Sequence, residues 1–522
     1  MALGRLRLQQ RFESPEELLG ERLRGVYRLL ADYGPRLFPD DYFADLYKDS
    51  GRGRPTVPAR VLATVMLLQS HEGLSDQEAV DRLERDLAWQ AAAGVHSGCE
   101  AFHSTVLVGL RNRLRASSRP RRLFDDTRKV ATESGLLGGR ARVLDSTPIY
   151  DAVATQDTVT QLRSAIRRLL RALDRDDVQL AATVRAALSR DDDYAGPGKP
   201  PCDWDDRAAR DALVDALVRD ANAALAALEG ETLEGPATEA AELVALVAGQ
   251  DVEEGEDNKF RIARKVARDR VISTVDPEAR HGHKSRNRRF DGYKAHLSVD
   301  PDSEVIDEVV VTPANTHDAD AVDDLLAGHD GDEDKPTVFA DSAYAGADTL
   351  AHLHGQGYDV MAKVPPASNR NERFSKDDFT IDVQAGTVAC PAGHLVAIRY
   401  DPDRGGRADF GVYCGGCPLR ERCTTAAAGR TVTIHPEEAL LQRAKTEQAD
   451  PEWKQAYRGT RPKVERKIAH FVRVTWGGRK ARTRGLRRVA TDVDTRAAAV
   501  NWARFATLGL HWDGAAWATA PP

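Results

Sequence analysis

The segment Arg142-Val143-Leu144-Asp145-Ser146-Thr147 decides the fold class of this 522-residue chain. Its apolar, β-prone residues predict a short strand, and the aspartate that ends the run predicts a carboxylate at the rim of a sheet. A second segment, Val338-Phe339-Ala340-Asp341-Ser342-Ala343-Tyr344, has the same design. The two segments therefore predict a sheet in which two strands each end in an aspartate.

A third acidic residue, Glu465, stands alone among basic residues late in the chain. Two aspartates at strand ends and one helical glutamate form a carboxylate set that holds a pair of Mg²⁺ ions about 3.5–4 Å apart and supports phosphodiester cleavage. The sequence therefore predicts a metal-dependent nuclease or strand transferase. The competing interpretation is that Asp145 and Asp341 only cap turns. Other aspartates near these motifs are expected to be turn or capping residues: Asp151, Asp276, Asp300 and Asp318.

Several further motifs keep a fixed order along the chain. They are Thr155-Gln156-Asp157-Thr158, Gly292-Tyr293-Lys294-Ala295-His296, Thr312-Pro313-Ala314-Asn315-Thr316-His317-Asp318 and a Tyr-Arg-x-x-Arg-x-x-x-Glu run over 457–465. Over residues 40 to 510 this order resembles the DDE transposases of bacterial insertion sequences, in particular the IS1182-type group of the IS4/IS5 superfamily. One departure is that Val472 and Arg473 stand where the superfamily has a lysine, one or two helical turns after the glutamate.

The resemblance implies an enzyme that uses two Mg²⁺ (or Mn²⁺) ions to cut and transfer the ends of its own insertion sequence. It implies Asp145, Asp341 and Glu465 as the catalytic metal ligands. It also implies DNA contacts around the glutamate, namely Tyr457, Arg458, Arg461, Arg466 and Lys467. The implied partners are the inverted-repeat ends, target DNA and a second copy of the chain in a homodimer on DNA, without a nucleotide cofactor. For Arg461, the plain alternative is an ordinary surface ion pair.

The resemblance implies an α/β fold with a ribonuclease-H-like core, and the residue pattern agrees with it. Residues 293–299 alternate between apolar and polar, which predicts a half-buried strand, and residues 305–311 predict its antiparallel neighbour. A helix over 317–327 then leads to a strand at 336–341, and another strand follows at 358–364. In the family fold the first and fourth strands lie side by side, so Asp145 and Asp341 are expected to meet.

The chain is expected to have five parts. The first is a helical N-terminal domain over 1–135 that binds DNA ends or dimerises. The second is a ribonuclease-H-like core over 140–150 and 276–365, with a mixed sheet whose first three strands are antiparallel. The others are a helical acidic insertion over 151–275, a cysteine-rich zinc insertion over 366–440, and a C-terminal helical part over 441–522 that carries Glu465 and a basic segment.

Two helices are the clearest elements of the N-terminal part. Gly73 ends the first, and Ser75 with Glu78 forms the capping box of the second. The acidic residues of the second helix would repel phosphates, so packing or dimerisation is favoured over base reading. A nearby run of arginines is a better candidate for DNA contact, with a solvated basic helix as the alternative. The run comprises Arg111, Arg113, Arg115, Arg119, Arg121 and Arg122.

Four of the six cysteines fall in one short, loop-rich segment. A Cys-x-x-Cys turn can hold a tetrahedral Zn²⁺, which stabilises a segment with too few apolar residues for a core. The predicted ligands are Cys390, Cys414, Cys417 and Cys423, with His394 as a substitute. The competing interpretation is a loop that keeps its thiols without a metal.

The net charge of −7 argues against a nucleic-acid partner, but the charge is segregated. Residues 203–257 are acidic and are expected to form a solvated face, whereas residues 454–488 contain thirteen Lys or Arg and a single acid, Glu465. Local basic patches set the field that a phosphate backbone meets. No run of eighteen apolar residues and no signal-like N-terminus occur, so a cytoplasmic, nucleoid-associated protein without a membrane partner is expected.

Two other functions stay open at this point. A stand-alone ribonuclease-H-like nuclease would cut without strand transfer, and a non-catalytic relic of a transposase would only bind DNA. The sequence motifs of ATP, nicotinamide, acyl-transfer and zinc-protease enzymes are missing, which excludes those classes.

Overall fold

Helices dominate the N-terminal part of the computed structural model, which describes residues 14–47, 56–99, 102–263, 267, 269–285, 287–368, 372–401, 405–473 and 478–520. They are α1 (Pro15–Leu19), α2 (Gly25–Leu37), α3 (Ala59–Glu72), α4 (Asp76–Arg85), α5 (Leu87–Ala93), α6 (Thr105–Ala116) and α7 (Arg122–Glu133). Both predicted helices are confirmed, as α3 and α4. Gly73 follows α3 with a left-handed φ of 73°, and the side chains of Ser75 and Glu78 cap α4 reciprocally.

A helical insertion follows the first strand of the central sheet. The elements are β1 (Ala141–Tyr150), α8 (Thr158–Asp176), α9 (Val178–Ala187), α10 (Arg207–Ala226), α11 (Pro236–Gln250) and a hairpin of β2 (Val252–Glu254) and β3 (Phe260–Ile262). The four helices pack around a hydrophobic core of their own. Gln156 joins the two ends of the insertion, because its N–H donates to the Ile272 carbonyl at 2.9 Å and its Oε1 accepts from the Thr274 N–H at 2.9 Å.

The acidic residues of the insertion are mostly solvated, as predicted. Asp203, Asp205 and Asp206 are exposed, and Asp206 caps α10. Asp192 is different, because it forms a largely buried ion pair of 2.8 Å with the Nε of Arg163 on α8. The insertion thus uses part of its acidic sequence to hold its own loops in place.

The central sheet has the strand order of a ribonuclease-H-like fold. After the insertion the chain forms β4 (Arg280–Ser285), β5 (Arg288–Val299), β6 (Ile306–Pro313), α12 (Val322–Leu326), β7 (Thr337–Ala340), α13 (Ala347–Gly355) and β8 (Val360–Ala362). β5 lies antiparallel between β1 and β6, while β7 pairs in parallel with β1 and with β8. The order β6-β5-β1-β7-β8 confirms the mixed sheet and the neighbouring first and fourth strands.

Three details of the sheet differ from the sequence prediction. β1 continues to Tyr150, so Asp145 lies in the middle of the strand and not at its end. The segment predicted as a helix over 317–327 is a 3-10 turn at Asp318–Ala321 followed by the short α12. The edge strand β4 was not predicted, since its Arg-His-Gly-His-Lys-Ser sequence has no apolar alternation.

The turn-prone Gly292 lets β5 cross close to β1. Its φ is 134°, and a Cβ at this position would lie 2.3 Å from the carbonyl oxygen of Ile149. Only glycine tolerates both the left-handed backbone and the close approach of another backbone. The glycine of the Gly-Tyr-Lys motif is therefore a structural requirement of the β1–β5 pair.

The cysteine-rich segment folds as two small sheets. It contains β9 (Thr380–Asp382), β10 (Thr387–Ala389), β11 (Leu395–Ala397), β12 (Arg399–Asp401), β13 (Gly405–Asp409), α14 (Gly411–Cys414), α15 (Arg420–Cys423) and β14 (Thr431–Ile434). The expectation that it lacks the apolar residues for a core is wrong. Phe379, Val388, Phe410 and Ile434 form a buried cluster that includes Cys414 and Cys423.

The C-terminal part joins the N-terminal helices to the sheet. Its elements are α16 (Glu438–Glu447), α17 (Pro451–Phe471), α18 (Leu486–Thr507) and a hairpin of β15 (His511–Trp512) and β16 (Trp517–Ala518). α18 is buried on most sides and contacts α2, α3, α7 and β6. One hydrophobic core therefore runs from the N-terminal helices through α18 to the sheet. Within the described residues, no helix combines the length and the apolar character needed to cross a membrane.

Candidate active site

Asp145 and Asp341 meet because β1 and β7 are parallel neighbours. The register pairs Val143 with Phe339, and each aspartate lies two residues further along its strand direction. The Oδ1 of Asp145 accepts from the Ser146 N–H at 2.8 Å, and Asp341 accepts from the Ala343 N–H at 2.8 Å. Both side chains line one cavity.

The electrostatics of the pair favour a bound cation. Burial raises the pKa of Asp341, and the nearby charge of Asp145 raises it further, while the Ala343 N–H and Arg461 oppose the shift. Two carboxylates that repel each other in a partly buried cavity are stabilised when a positive charge comes between them. Their hard oxygen donors match Mg²⁺ or Mn²⁺.

Arg461 of α17 supplies one positive charge directly. Its Nη2 lies 2.9 Å from the Oδ2 of Asp145, with 9% of the arginine side chain and 17% of the aspartate side chain exposed. One turn earlier on α17, the Tyr457 hydroxyl donates to the carbonyl of Ala340 at 3.0 Å. The Tyr and Arg of the late motif thus dock α17 against the middle of β1 and the end of β7, where the two aspartates lie.

Glu465 is not brought to the two aspartates. It is exposed, one helical turn beyond Arg461, and it is not among the residues that line the cavity of Asp145 and Asp341. Across the described ranges, no group of three or more His, Cys, Asp or Glu side chains is arranged to hold a metal ion. The geometry thus provides a pair of adjacent carboxylates, with the glutamate on the neighbouring helix surface.

Asp318 is a third carboxylate of this cavity that sequence reasoning missed. It accepts from the Ser146 hydroxyl at 2.7 Å and from the Lys294 ammonium at 2.7 Å. Burial raises the pKa of Asp318, but the bonds from Lys294 and Ser146 outweigh burial and lower it overall. From the sequence, Asp318 is predicted to be a turn or capping residue at the end of the Thr312–Asp318 motif. The order of the motifs is the one sequence signal that indicates a shared site.

Two buried polar atoms at the site have no hydrogen-bond partner among the described residues. They are the hydroxyl of Tyr344 and the Nη1 of Arg461. Burial raises the pKa of Tyr344 well above its ordinary value, and Asp318, Asp145 and Asp341 raise it further. Unsatisfied buried donors are costly and are commonly completed by a ligand or water, so the site has bonding capacity left for a phosphate or a metal hydration shell.

The other implied DNA contacts on α17 have different surroundings. Arg458 is exposed, whereas Arg466 forms an ion pair with Glu304 in the turn between β5 and β6. Lys467 is only 2% exposed and lies 4.0 Å from Glu304. Burial lowers the pKa of Lys467 to about 8, even though Glu304 raises it. Arg466 and Lys467 therefore anchor α17 to the sheet in this conformation.

The arginine run near α6 and α7 mostly serves the fold. Arg122 is 1% exposed and bonds Asp45, while Arg121 bonds Glu308 of β6 and Asp494 of α18. Arg111 forms two hydrogen bonds of 2.8 and 2.7 Å to Asp76. These pairs join the N-terminal helices to one another and to the core. In this run, Arg113 and Arg115 lack such a partner among the described carboxylates, and Arg113 lies over the ring of Tyr47 instead.

The four clustered cysteines and His394 line one small cavity, so the structure brings the predicted zinc ligands near one another. Burial raises the pKa of the Cys423 thiol, and the thiols of Cys414, Cys390 and Cys417 contribute to the rise. His394 stacks on Tyr413 with ring centres 4.7 Å apart. These side chains are not arranged as a metal site in the described residues, so the zinc prediction is not supported by the geometry.

Two family models match parts of the chain. A family model described as Transposase DDE domain matches residues 263–502, and one described as Transposase domain (DUF772) matches residues 16–113. The first match includes Asp341, Arg461 and Glu465, while Asp145 lies before the insertion and outside both matches. No solved structure matches the chain.

Proposed function

Since this chain belongs to the DDE transposases, we propose that Asp145 and Asp341 are the carboxylates that hold its divalent metal ions during DNA cleavage and strand transfer. The observation that carries the proposal is the parallel pairing of β1 and β7, which places both side chains in one cavity. A nuclease without strand transfer and a non-catalytic relic are not favoured by the family matches. Membership of the IS1182-type group rests on the motif order alone.

The reaction consists of two phosphoryl transfers. Water attacks the phosphorus at the element end and the bond to the 3′ oxygen breaks, which leaves a 3′-OH. That hydroxyl then attacks a phosphorus of target DNA, so one phosphodiester bond forms as another breaks and no nucleotide cofactor is consumed. Bound Mg²⁺ or Mn²⁺ would supply the activation of the attacking oxygen and the stabilisation of the leaving oxygen.

The side chains of the site have separable roles in this scheme. Asp145 and Asp341 hold the ions, and Arg461 orients Asp145 through its 2.9 Å contact. The free Nη1 of Arg461 is suited to an oxygen of the scissile phosphate. Glu465 is proposed as the third ligand, supported by its place one turn from Arg461 on the same helix. It would have to turn towards the cavity when the metal and DNA bind.

The DNA contacts on α17 are proposed from the resemblance and from exposure. Arg458 is exposed and is assigned to a phosphate. Arg466 is also exposed and would exchange its ion pair with Glu304 for a phosphate, whereas Tyr457 and Lys467 support the helix from within. The proposed substrates are the inverted-repeat ends and target DNA, bound by a homodimer at the nucleoid in the cytoplasm. Light scattering of the protein with end DNA would show two chains per complex, and a single chain per complex would contradict the dimer.

The catalytic assignment is tested with amide variants. Asp145→Asn and Asp341→Asn should abolish cleavage while binding of end DNA stays within a few fold, because an amide cannot supply the charge that the cation requires. Cleavage by either variant at the wild-type rate would contradict the assignment. Glu465→Gln in the same assay tests the third ligand, and loss of cleavage is expected.

Zn²⁺ binding by Cys390, Cys414, Cys417 and Cys423, with His394 as a substitute, is a further proposal. It is supported by the shared cavity and by the chemistry of four thiols in one small module. The thiols would have to rearrange to coordinate the ion, since they are not arranged as a metal site among the described residues. Freshly purified protein should contain about one zinc per chain, and Cys414→Ser with Cys417→Ser should lose it. Zinc-free protein after purification without chelators would contradict the proposal.

A further inference from the structure

A second charged surface lies away from the aspartate pair, between α6 and the start of α18. Five arginines contribute to it, and none of them forms an ion pair with a described carboxylate. They are Arg115, Arg482, Arg484, Arg487 and Arg488, and two neighbouring cavities share Asn112, Arg115 and Arg488 in their linings. All except the half-buried Arg115 are exposed.

The positive charge of the first cavity is not neutralised by its own acids, whereas four carboxylates line the second cavity. Asp76 lines the first cavity, but it is bonded at 2.8 and 2.7 Å by Arg111. Asp492 also lines it and pairs with Arg496 at 3.1 Å. Each of these carboxylates is therefore matched by an arginine of its own, and the remaining arginines give the cavity a net positive charge.

The fold holds these arginines together against their mutual repulsion. Burial lowers the pKa of Arg115, and the charges of Arg488, Arg111 and Arg487 lower it further. Arg487 donates to the carbonyl of Arg115, and Arg482 donates to the carbonyl of Leu74, so main-chain oxygens fix the guanidinium groups without cancelling their charge. Repulsion of this kind is relieved by an anion bound between the arginines.

We propose that the first of these cavities, the arginine groove lined by Gln77, Asn112, Arg115, Arg482, Thr483 and Arg488, binds the phosphate backbone of duplex DNA. Guanidinium groups form bidentate bonds to phosphate, and the amide and hydroxyl side chains of the lining add uncharged donors to phosphate oxygens. The cavity is broad and open to solvent, and several separate cations line it, which suits an extended polyanion better than a small one. The groove would hold DNA without reading its sequence.

The groove is coupled to the proposed active site by one short segment. The Arg479 carbonyl accepts from the Tyr150 N–H at the end of β1, and the Arg479 Nε lies 3.2 Å from the Thr147 hydroxyl. Three residues later Arg482 reaches the N-terminal part of the chain. DNA held in the groove would thus be fixed relative to the strand that carries Asp145. This inference rests on the proposed function only in taking DNA as the ligand.

Binding of a fluorescent duplex, measured by anisotropy at several salt concentrations without divalent metal, tests the groove. Arg482→Gln with Arg488→Gln should reduce the slope of log affinity against log salt by about two units and weaken binding roughly tenfold or more near 0.15 M salt. The preference for end DNA over unrelated DNA should not change. The charge-preserving Arg482→Lys with Arg488→Lys should keep the slope of the wild type.

A matched control removes the same charge elsewhere. Arg207→Gln with Arg219→Gln alters two exposed arginines of the insertion that are paired with Asp211 and Asp215, so it should leave the slope unchanged. An unchanged slope in the groove variant, or an equal loss in the control, would overturn the inference. The groove is tested by DNA binding without metal. The catalytic assignment is tested separately, by whether the Asp145→Asn and Asp341→Asn variants cleave saturating DNA, so the two proposals can fail independently.

Discussion

Arg461 of α17 and Asp145 of β1 form a largely buried ion pair of 2.9 Å at the candidate active site. A guanidinium group does not lose its proton under physiological conditions, so Asp145 faces a permanent positive charge. The same charge lowers the pKa of Asp341, against the raising effects of burial and of Asp145. Arg461 therefore offsets part of the repulsion between the two crowded carboxylates, and their remaining negative charge favours a bound cation.

The first prediction follows from that role. In Arg461→Ala, cleavage should fall by about a hundredfold, since a preorganised charge at the reacting phosphate is lost. The pKa of Asp341 should also rise, so the acidic limb of the pH–rate profile should move to higher pH. The Mg²⁺ concentration needed for half-maximal cleavage should not increase, because the substitution removes a cation that competes with Mg²⁺ for Asp145. Cleavage rates over a pH series at saturating DNA measure both effects.

Arg461→Lys is the matched control for this prediction, since it keeps the charge and loses the planar fork. It should leave the acidic limb near its wild-type position while still lowering the rate. An Arg461→Ala enzyme with the wild-type rate and an unmoved acidic limb would show that the ion pair is an ordinary structural contact.

The second prediction concerns Lys294 and Asp318, which are bonded at 2.7 Å and are largely buried. Lys294→Met and Asp318→Asn should each destabilise the protein, but the double variant should lose less than the sum, with a coupling of about 1–3 kcal/mol. Denaturant unfolding of the four proteins gives this coupling. Ser146 links Asp318 to the catalytic pair, because its hydroxyl donates to Asp318 and its N–H donates to Asp145. Cleavage by the single variants should therefore fall as well.

A surface pair provides the comparison for that cycle. Lys463 and Asp302 lie 3.6 Å apart with the aspartate mostly exposed, and their coupling should be about 0–1 kcal/mol. Strict additivity of the Lys294 and Asp318 variants would mean that the two side chains do not act as a unit.

Local sequence pattern was sufficient to predict β1, β5, β6 and β7, because alternation and apolar runs are properties of neighbouring residues. The meeting of Asp145 and Asp341 was expected from the family fold that the motifs resemble, and the parallel pairing of β1 with β7 agrees with it. Interactions between distant elements were not predictable in the same way. The contact of Arg461 with Asp145 depends on how α17 packs against the sheet. The ion pair of Lys294 with Asp318 depends on the turn between β6 and α12.

The arginine run shows the same limit from the other side. In the sequence, Arg111, Arg121 and Arg122 resemble a basic surface, yet their carboxylate partners lie in remote segments that fold against them. Charge counted along the chain therefore overstated the basic surface there. The free positive charge of the groove arises instead where Arg115 meets residues 482–488, which are far away in the sequence.

The third prediction is a pH dependence of stability caused by His296. This residue is buried on β5, its Nε2 lies 2.9 Å from the Thr312 hydroxyl, and burial lowers its pKa to about 4. A pKa depressed in the folded state means that the unfolded chain binds the proton more readily as the pH falls below about 6.5. Stability from the neutral ring is thus present above that pH and lost as the pH falls towards 4.

The expected loss from this histidine is about 3 kcal/mol between pH 7 and pH 4. Other groups also titrate in this range, so the difference between wild type and His296→Gln is the informative quantity. Unfolding free energies measured at several pH values should fall less steeply with decreasing pH for the variant. The difference in slope should correspond to the uptake of at most one proton on unfolding. Parallel curves for the two proteins would show that His296 does not titrate in this way.

The last prediction contrasts two glycines. Gly292 has a φ of 134°, and a Cβ there would lie 2.3 Å from the Ile149 carbonyl and 2.5 Å from the Asp151 N–H nitrogen, so Gly292→Ala should destabilise the protein by about 2–4 kcal/mol. Gly459 lies inside α17, and its added Cβ would meet no atom within 4 Å, so Gly459→Ala should stabilise by up to about 1 kcal/mol. Thermal or denaturant unfolding measures both changes. If the two substitutions had the same sign, the close crossing of β5 and β1 at Gly292 would not be the constraint inferred from the backbone.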